Sequence, residues 1–338
     1  MIDRMTRRER LDALQRSEPT DRPAWALWRH FYDKGSTAED LAEAMVGWQR
    51  TYGFDFLKVN PRAQYYIEPW GARFRYPGDG QRPEQLSVPV RTIDDWKRIE
   101  PRPPTAAAFG EQLRAIRMIR EALGPDVPIV ETIFTPISVV GDLVASDQQL
   151  LDDLRTDPNA VEAALSAVTE TLAGFAVLCV EAGADGIFFA TTQWASHDLL
   201  TDEEYDRFGR PFDLQVLEAV AGAPFNVLHV CGDHSMLFEL ADYPHHAVNW
   251  AATSPAAPSL QEAAGRVPGL LVGGVSHDAL MARSPEALLA EARAARAATD
   301  GQRWMLGPNC SIPVTTPDAN LMALKEAILS GLMAEVED

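Results

Sequence analysis

The sequence predicts an α/β fold, a (β/α)8 barrel of the TIM type with an inserted hairpin after the second strand. Three observations favour this fold. The chain contains eight short apolar runs, and each is followed within a few residues by a helix signal. The runs are apolar almost throughout, which is typical of parallel strands buried on both faces. A doubly wound sheet of eight strands is the alternative, and the barrel is preferred.

The elements follow one another regularly along the chain. An amphipathic helix over Arg7–Gln15 precedes the first strand. The predicted strands are residues 23–28, 54–59, 128–133, 186–190, 225–230, 246–250, 270–275 and 303–306. Residues 36–39 and 201–204 are typical helix starts, each with a capping hydroxyl and acidic residues in the first turn. Pro285 and Pro317 predict two later helices, because proline is favoured at the first helical position.

One stretch, residues 62–85, interrupts the alternation of strands and helices. Among its Pro and Gly residues it carries the aromatic residues Tyr65, Tyr66, Trp70, Phe74 and Tyr76. This pattern predicts an inserted hairpin or lid. No change of composition accompanies the stretch, so the sequence predicts one domain over residues 1–338.

Composition and charge indicate a soluble enzyme. The chain has 338 residues, 46% of them hydrophobic, and its 30 basic and 49 acidic residues give a net charge of −19. This balance disfavours nucleic acid or an anionic membrane as a partner. We expect no membrane span, because no uncharged apolar run of about 18 residues occurs, and no secretory signal follows the basic start. Three cysteines are too few for a disulfide framework and favour the reducing cytoplasm.

One histidine and two cysteines are placed for metal chemistry. His229 and Cys231 end the fifth predicted strand, and side chains two residues apart on a strand point to the same face. Cys310 follows the eighth predicted strand, so all three belong to the rim where barrel enzymes place their chemistry. Two thiolates and an imidazole suit zinc, and three protein ligands leave a fourth position open, as in catalytic sites.

The alternative for these residues is simple burial. Cysteine is a good buried hydrophobe, and one His-x-Cys pair alone is a weak signal. The third ligand type at a second strand end is what favours a metal site. Cys179 has the opposite interpretation, because it lies on the apolar face of a long predicted helix, and we expect it in the core.

Several segments resemble the uroporphyrinogen decarboxylase superfamily, over nearly the whole chain. The matching segments are Glu18-Pro-Thr-Asp-Arg-Pro-Ala-Trp at the first strand, His229-Val-Cys-Gly-Asp at the fifth, Gly273-Gly-Val-Ser at the seventh and Gly307-Pro-Asn-Cys-Ser-Ile-Pro-Val-Thr-Thr-Pro in the last loop. This resemblance implies a (β/α)8 barrel, the fold that the strand count predicts independently.

The sequence departs from the true decarboxylases of that superfamily. The resemblance places Arg29 at the first of two carboxylate-binding arginines, but Asp33 at the second. Asn60 or a neighbour stands in place of the catalytic aspartate, and Asn309 or Cys310 in place of the last-loop histidine. Too few cations remain to bind a porphyrinogen with eight carboxylates.

The chain is more similar to the zinc methyltransferase branch, which carries His-x-Cys and a distant Cys. That branch includes methylcobalamin:coenzyme M methyltransferases and corrinoid-dependent demethylases. The resemblance implies zinc on His229, Cys231 and Cys310, and methyl transfer between a corrinoid and a small substrate such as a thiol or methyl ether. No Asp-x-His-x-x-Gly corrinoid pattern occurs, so we expect the methylcobalamin or other corrinoid on a separate protein. The direction of transfer stays open.

Other rim residues are candidates for ligand binding. The candidates for the fourth zinc ligand are Asp233, His234, His277 and the substrate itself. The alternative for Asp233 and His234 is capping of a helix after the fifth strand. The residues predicted to bind substrate are Arg29, His30, Asn60, Arg62, Gln193, Trp194 and His277. Tyr65 and Tyr66 either stack on an aromatic ether or the corrin edge, or pack within the hairpin, and packing is preferred.

Two other functions remain alternatives. The first is decarboxylation of a tetrapyrrole or related polycarboxylate, without metal and dependent on Arg29. The second is a barrel that binds a small ligand without turnover. The expected partners are a corrinoid-binding protein and a small methyl donor or acceptor, and a homo-oligomer is compatible with the sequence.

Overall fold

A curled parallel sheet organises the fold. The computed structural model describes residues 4–34, 37–62, 64–77 and 80–330. Its strands are β1 Leu57–Val59, β2 Arg73–Arg75, β3 Glu84–Ser87, β4 Ile129–Phe134, β5 Gly186–Ala190, β6 Val227–Val230, β7 Ala247–Trp250, β8 Leu270–Val275 and β9 Trp304–Pro308. Within the described residues, β1 and β4 to β9 pair in parallel in the order β1-β4-β5-β6-β7-β8-β9. The carboxyl ends of these seven strands therefore meet at one rim.

Helices follow most of the strands and cover the sheet. They are α1 Arg7–Gln15, α2 Ala38–Tyr52, α3 Ala108–Leu123, α4 Pro136–Asp142, α5 Asp147–Thr156, α6 Pro158–Glu181, α7 Asp202–Phe208, α8 Arg210–Ala219, α9 Leu260–Ala264, α10 His277–Leu280, α11 Glu286–Ala297 and α12 Asp318–Ser330, with 3-10 helices at Tyr65–Trp70 and Ile93–Arg98. Apolar side chains of the strands and helices form a continuous buried core. The result is an α/β fold with a TIM-barrel-like sheet.

Residues 24–26 lie between the two edges of the sheet. The Ala26 amide donates to the Leu306 carbonyl at 3.0 Å, and the Leu306 amide donates to the Ala24 carbonyl at 2.9 Å. On the other side, the Asp55 amide donates to the Trp25 carbonyl at 2.9 Å. The Trp25 amide donates to the Asp55 carboxylate instead of to a backbone carbonyl. This side-chain contact explains why the first predicted strand forms only an isolated bridge.

The other seven predicted strands each overlap a strand of the parallel sheet, with bounds that differ by a few residues. The predicted first helix is confirmed over Arg7–Gln15. Thr37 and Thr201 cap α2 and α7 as expected, whereas Ser36 lies outside the described residues.

The segment between β6 and β7, residues 231–246, contains turns where a helix signal was expected. Its backbone pairs instead with the segment that follows β5. The Met236 amide donates to the Ala195 carbonyl, and the His197 amide donates to the His234 carbonyl. These bonds use backbone groups that a helix would have paired internally.

The stretch over residues 62–85 begins with the 3-10 helix Tyr65–Trp70 and continues into the antiparallel pair of β2 and β3. Tyr65 and Tyr66 are buried and pack against the fold. The Tyr65 hydroxyl donates to the Thr132 carbonyl at 3.2 Å, and the Tyr66 hydroxyl donates to Asp142. Both tyrosines are therefore packing residues, but they pack against β4 and α4 and not, as was expected, within the hairpin.

Among the described helices, α6 alone is long and apolar enough by composition to cross a membrane. However, 56% of its apolar window is buried inside the fold, and a core helix meets the same criteria. Cys179 on this helix is fully buried, so its predicted core position is confirmed. Burial raises the pKa of its thiol well above the usual value.

Gly274 in β8 allows α11 to approach the sheet closely. Its φ of +121° is one that residues with a Cβ rarely adopt. A Cβ built there would lie 2.4 Å from the Cβ of Ala295 on α11. Both the backbone conformation and the space therefore require glycine.

We expect Gly274→Ala to lower the free energy of unfolding by about 2–4 kcal/mol, from backbone strain and overpacking together. Urea denaturation measures the change. The matched control is Gly222→Ala, because no atom lies within 4 Å of the Cβ that would be added there. Equal stability of the two variants would contradict this account of Gly274.

Candidate metal centre

The structure brings His229, Cys231 and Cys310 together at the carboxyl-end rim. His229 lies in β6, Cys231 follows that strand directly, and Cys310 lies two residues beyond the end of β9. One ligand atom from each residue lies within 4.8 Å of the other two. The Cys310 Sγ is 3.7 Å from the His229 Nε2. Cys310 is 81 positions from His229 in the sequence. The two residues become neighbours because their strands end at the same rim of the sheet.

The loop that carries Cys310 is fixed on both sides. The Ile312 amide donates to the Trp28 carbonyl at 2.8 Å. The Asn309 side chain pairs with Thr253, donating to its Oγ1 at 2.7 Å and accepting from its amide at 3.3 Å. On the opposite side of the group, the Cys231 amide donates to the Thr191 Oγ1 at 3.3 Å. Both thiols are therefore held in place by backbone contacts.

A neighbouring asparagine sets the orientation of the His229 ring. The Asn249 side-chain nitrogen donates to the Val272 and Pro308 carbonyls, each at 2.8 Å. Its Oδ1 therefore faces the His229 Nδ1, at 2.6 Å. An amide oxygen only accepts, so Nδ1 carries the proton and the lone pair of Nε2 points toward the thiols. This is the tautomer that a metal-binding histidine requires.

The two thiols interact strongly with each other. The hydrogen bond from the Cys231 thiol lowers the pKa of the Cys310 thiol well below its usual value. The same contact with Cys310, together with burial, raises the pKa of the Cys231 thiol. The pair thus favours a Cys310 thiolate that accepts a hydrogen bond from the Cys231 thiol. A cation bound between the sulfurs would replace that proton.

A cavity of about 230 Å³ adjoins the three residues. Four of the seven predicted substrate-binding residues line it, namely His30, Asn60, Arg62 and Gln193. Trp28 and Phe188 are aromatic lining residues, with ring centroids 5.1 Å apart. The cavity is thus mainly apolar, with a few polar groups and one thiol–imidazole corner.

The other three predicted substrate-binding residues lie outside this lining. The Arg29 guanidinium packs over the Phe31 and Trp48 rings and donates to the Val314 carbonyl. Trp194 is fully buried against Gly141 of α4. His277 is the first residue of α10.

No fourth protein ligand joins the group in the described part of the chain. Asp233 is exposed. His234 is also exposed and forms an ion pair with Asp198 at 2.7 Å, which raises its pKa. His277, the third candidate, likewise lies outside the group.

Sequence analysis missed Lys58 as a lining residue of the cavity. It lies in the middle of β1 and is 6% exposed. Its Nζ donates to the Asn60 Oδ1 at 2.7 Å and lies 4.6 Å from the centre of the Phe188 ring. A charged residue inside an otherwise apolar barrel strand was the available signal. The other lining residues that were missed are Trp28, Pro61, Thr132, Phe134, Phe188, Ala190, Thr192 and Ser311.

The chain is similar to known proteins over nearly its whole length. Methylcobamide:CoM methyltransferase MtbA of Methanosarcina acetivorans is 23% identical over 336 residues, which cover 95% of this chain and 97% of that protein. A uroporphyrinogen decarboxylase of Anaeromyxobacter dehalogenans is 25% identical over 341 residues, covering 93% and 96% of the two chains.

A solved structure of a methyltransferase from Methanosarcina mazei superimposes with a TM-score of 0.76 at 24% identity, over 97% of this chain and 99% of that one. This likeness concerns the fold. Residues 19–330 match the uroporphyrinogen decarboxylase (URO-D) family. The chain therefore belongs to the uroporphyrinogen decarboxylase family.

Proposed function

We propose that this chain is a zinc-dependent methyltransferase, which moves a methyl group between a small substrate and a corrinoid held by a separate protein. The observation that carries the proposal is the grouping of one imidazole and two thiols within 4.8 Å, beside a small cavity. The relatives named methylcobamide:CoM methyltransferases support it. The small substrate is a thiol, a methyl ether or a similar compound.

The donor set of His229, Cys231 and Cys310 suits zinc. Sulfur and nitrogen donors in a group of three, with a cavity on the open side, match a catalytic zinc site with one exchangeable position. Asn249 leaves the His229 Nε2 free to bind the metal. None of the other candidate ligands lies in the group in the described residues, so the substrate would complete the coordination.

Zinc at this position would hold a substrate thiol as its thiolate at neutral pH. The two cysteines would supply the ligand charge, and the Asn249 contact would hold the His229 ring in its metal-binding orientation. Trp28 and Phe188 would exclude water from the apolar side. In the thiol-accepting direction, the substrate thiolate would attack the methyl group that the corrinoid supplies, and the corrinoid would keep the electron pair of the bond that held the methyl group.

The corrinoid would reach the rim on its own protein. The cavity of about 230 Å³ is smaller than the roughly 300–1,000 Å³ of sites for drug-sized ligands, so it admits the small substrate alone.

We further infer one domain, a (β/α)8 barrel. Residues 23–28, the first predicted strand, then complete the set of eight strands. Residues 62–85, with their hairpin, are then a lid at the rim. The three free cysteines agree with a place in the cytoplasm.

Decarboxylation of a polycarboxylate is less well supported. Its substrate would need several cations in the site. In the described lining, the cationic side chains are Lys58 and Arg62, and Arg62 is already paired with Glu68 and Glu111. Arg29, the arginine on which this alternative depends, does not line the cavity.

The purified protein is expected to bind about one zinc ion per chain, and Cys310→Ala to bind less than about a tenth of that amount. Loss of one thiolate removes a third of the protein ligands. Inductively coupled plasma mass spectrometry measures the metal, and transfer from methylcobalamin to a thiol is followed by absorbance.

The matched control for Cys310→Ala is Cys179→Ala, which removes a buried thiol of α6 away from the cavity. It is expected to keep its zinc and its activity. A wild-type protein that takes up no zinc, even after incubation with the metal, would sink the proposal. Equal zinc in the Cys310 and Cys179 variants would do the same.

Asn249→Ala is expected to lower zinc affinity by about 10- to 100-fold, because the His229 ring loses the acceptor that fixes its tautomer. Competition with a chelating dye measures the affinity. Asn320→Ala is the control, since that buried asparagine also donates to two carbonyls but lies outside the cavity lining. The idea fails if both variants bind zinc as tightly as the wild type.

A further inference from the structure

The hydrogen-bond ladder between β5 and β6 ends one step before the metal corner. The two strands pair in register up to Ala190 and His229, and the Thr191 amide donates to the His229 carbonyl at 3.0 Å. In a regular parallel ladder, the next bond would run from the Cys231 amide to the Thr191 carbonyl. The Cys231 amide donates instead to the Thr191 Oγ1, at 3.3 Å. A side-chain oxygen therefore takes the place of a backbone carbonyl beside Cys231.

The Thr191 carbonyl is held away from the ladder by Ser138. It accepts a hydrogen bond from the Ser138 Oγ at 2.7 Å. Ser138 belongs to α4, the helix that follows β4, and both Ser138 and Thr191 are buried. Because a carbonyl only accepts, the single hydroxyl proton of Ser138 is used in this bond.

Two further hydroxyl groups complete the contacts of Ser138. The Thr135 Oγ1 lies 2.6 Å and the Thr192 Oγ1 2.7 Å from the Ser138 Oγ. Since the Ser138 proton is already used, both threonines donate to it. The Thr135 Oγ1 also accepts from the Ser138 amide at 3.3 Å. The side chains of Thr135, Ser138, Thr191 and Thr192 thus form a hydroxyl network that fixes the turn after β5 to the start of α4.

Thr192 has a backbone conformation that its side chain disfavours. Its φ is +48°, and among the described residues it is the only β-branched residue with a positive φ. The left-handed region is strongly disfavoured for such side chains. A strained conformation of this kind persists where the surrounding contacts enforce it, and it is typical of functional sites. Here the bond to Ser138 holds the Thr192 side chain, and Thr192 itself lines the cavity.

The strained turn bears directly on the position of Cys231. Because Cys231 no longer belongs to the ladder, its amide is held by the Thr191 side chain. Its thiol lies within 4.8 Å of the ligand atoms of His229 and Cys310. The spacing of the two thiols therefore depends on the conformation of one threonine side chain, which the hydroxyl network fixes.

From these contacts, and resting on the metal site of the proposed function, we infer that Thr191 and Ser138 are positioning residues for the Cys231 thiol. Ser138 holds the Thr191 carbonyl away from the ladder. The Thr191 hydroxyl then holds the Cys231 amide, so that the Cys231 sulfur faces Cys310 before any metal binds. Neither Thr191 nor Ser138 lines the cavity, so both act through Cys231.

The test compares Thr191→Val with the wild type. Valine has nearly the same shape as threonine but offers no acceptor to the Cys231 amide. We expect the zinc affinity, measured by competition with a chelating dye, to fall about 10- to 100-fold, as for other residues that orient a metal ligand. Ser138→Ala, which frees the Thr191 carbonyl, is expected to lower the affinity as well. Thr191→Ser restores the acceptor and is expected to stay within about threefold of the wild type.

A thiol probe separates this inference from the proposed function. Phenylarsine oxide bridges two neighbouring thiols, forming two arsenic–sulfur bonds and releasing one water molecule. The metal-free wild type is expected to bind it across Cys231 and Cys310, and Thr191→Val to do so about tenfold more slowly, because the thiols are less well aligned. Mass spectrometry follows the reaction.

Slower bridging in Thr191→Val, in a protein that binds no zinc, would support the positioning role and overturn the proposed function. Zinc binding and methyl transfer by the wild type, with bridging and zinc affinity unchanged in Thr191→Val, would overturn the inference alone.

The matched control is Thr169→Val. The Thr169 hydroxyl is buried on α6 and donates to the Leu165 carbonyl at 2.7 Å, away from the cavity lining. Both valine variants lose a buried hydroxyl, but Thr169→Val is expected to keep its zinc affinity and its rate of bridging. An equal loss of zinc affinity in the two valine variants would assign Thr191 a structural role and contradict the inference. A Thr191→Ser variant as impaired as Thr191→Val would contradict it too.

Discussion

The Asp55 carboxylate is the contact on which the closed sheet depends. It accepts hydrogen bonds from the Trp25 amide and from the guanidinium groups of Arg10 and Arg22, all in buried positions. It thereby ties residues 24–26 to the start of β1, while the other side of that segment pairs with β9. A buried anion between two cations satisfies the demand that buried charges be paired. Closure then determines which strand ends face one another across the rim, and so where side chains from β6 and β9 can meet.

Much of this arrangement could be predicted from the sequence, because buried parallel strands appear in it as short apolar runs. His229 and Cys231 followed from the two-residue period of a strand. The same period explains one failure, because Trp28 and His30 line the cavity and Arg29 between them does not. Gln193 lines the cavity and its neighbour Trp194 does not, but both lie in a turn after β5, where strand alternation does not apply. Predictions based on position after a strand end could not separate such neighbours.

The pattern contains Lys58 and Asn249 as polar residues, but their roles could not be predicted from it, for a different reason. Each lies inside a strand that is otherwise apolar, and its meaning depends on groups far away in the chain. Asn249 was not among the predicted site residues, yet it sets the tautomer of His229. Nothing in the sequence indicates which groups lie near Lys58, and only the structure shows that it lines the cavity. Polar residues in buried strands therefore carry information that hydrophobic periodicity discards.

The Asn249 amide also makes the position of the His229 ring depend on how the neighbouring strands are arranged. One side chain on β7 bonds at the same time to carbonyls of β8 and β9 and to the ring on β6. Separation of these four strands would break the contacts that hold the imidazole in this orientation. An ion held by His229, Cys231 and Cys310 would in turn link the ends of β6 and β9. Its binding free energy would then stabilise the folded sheet. The rate at which such a protein releases its metal would therefore report how often these strands separate.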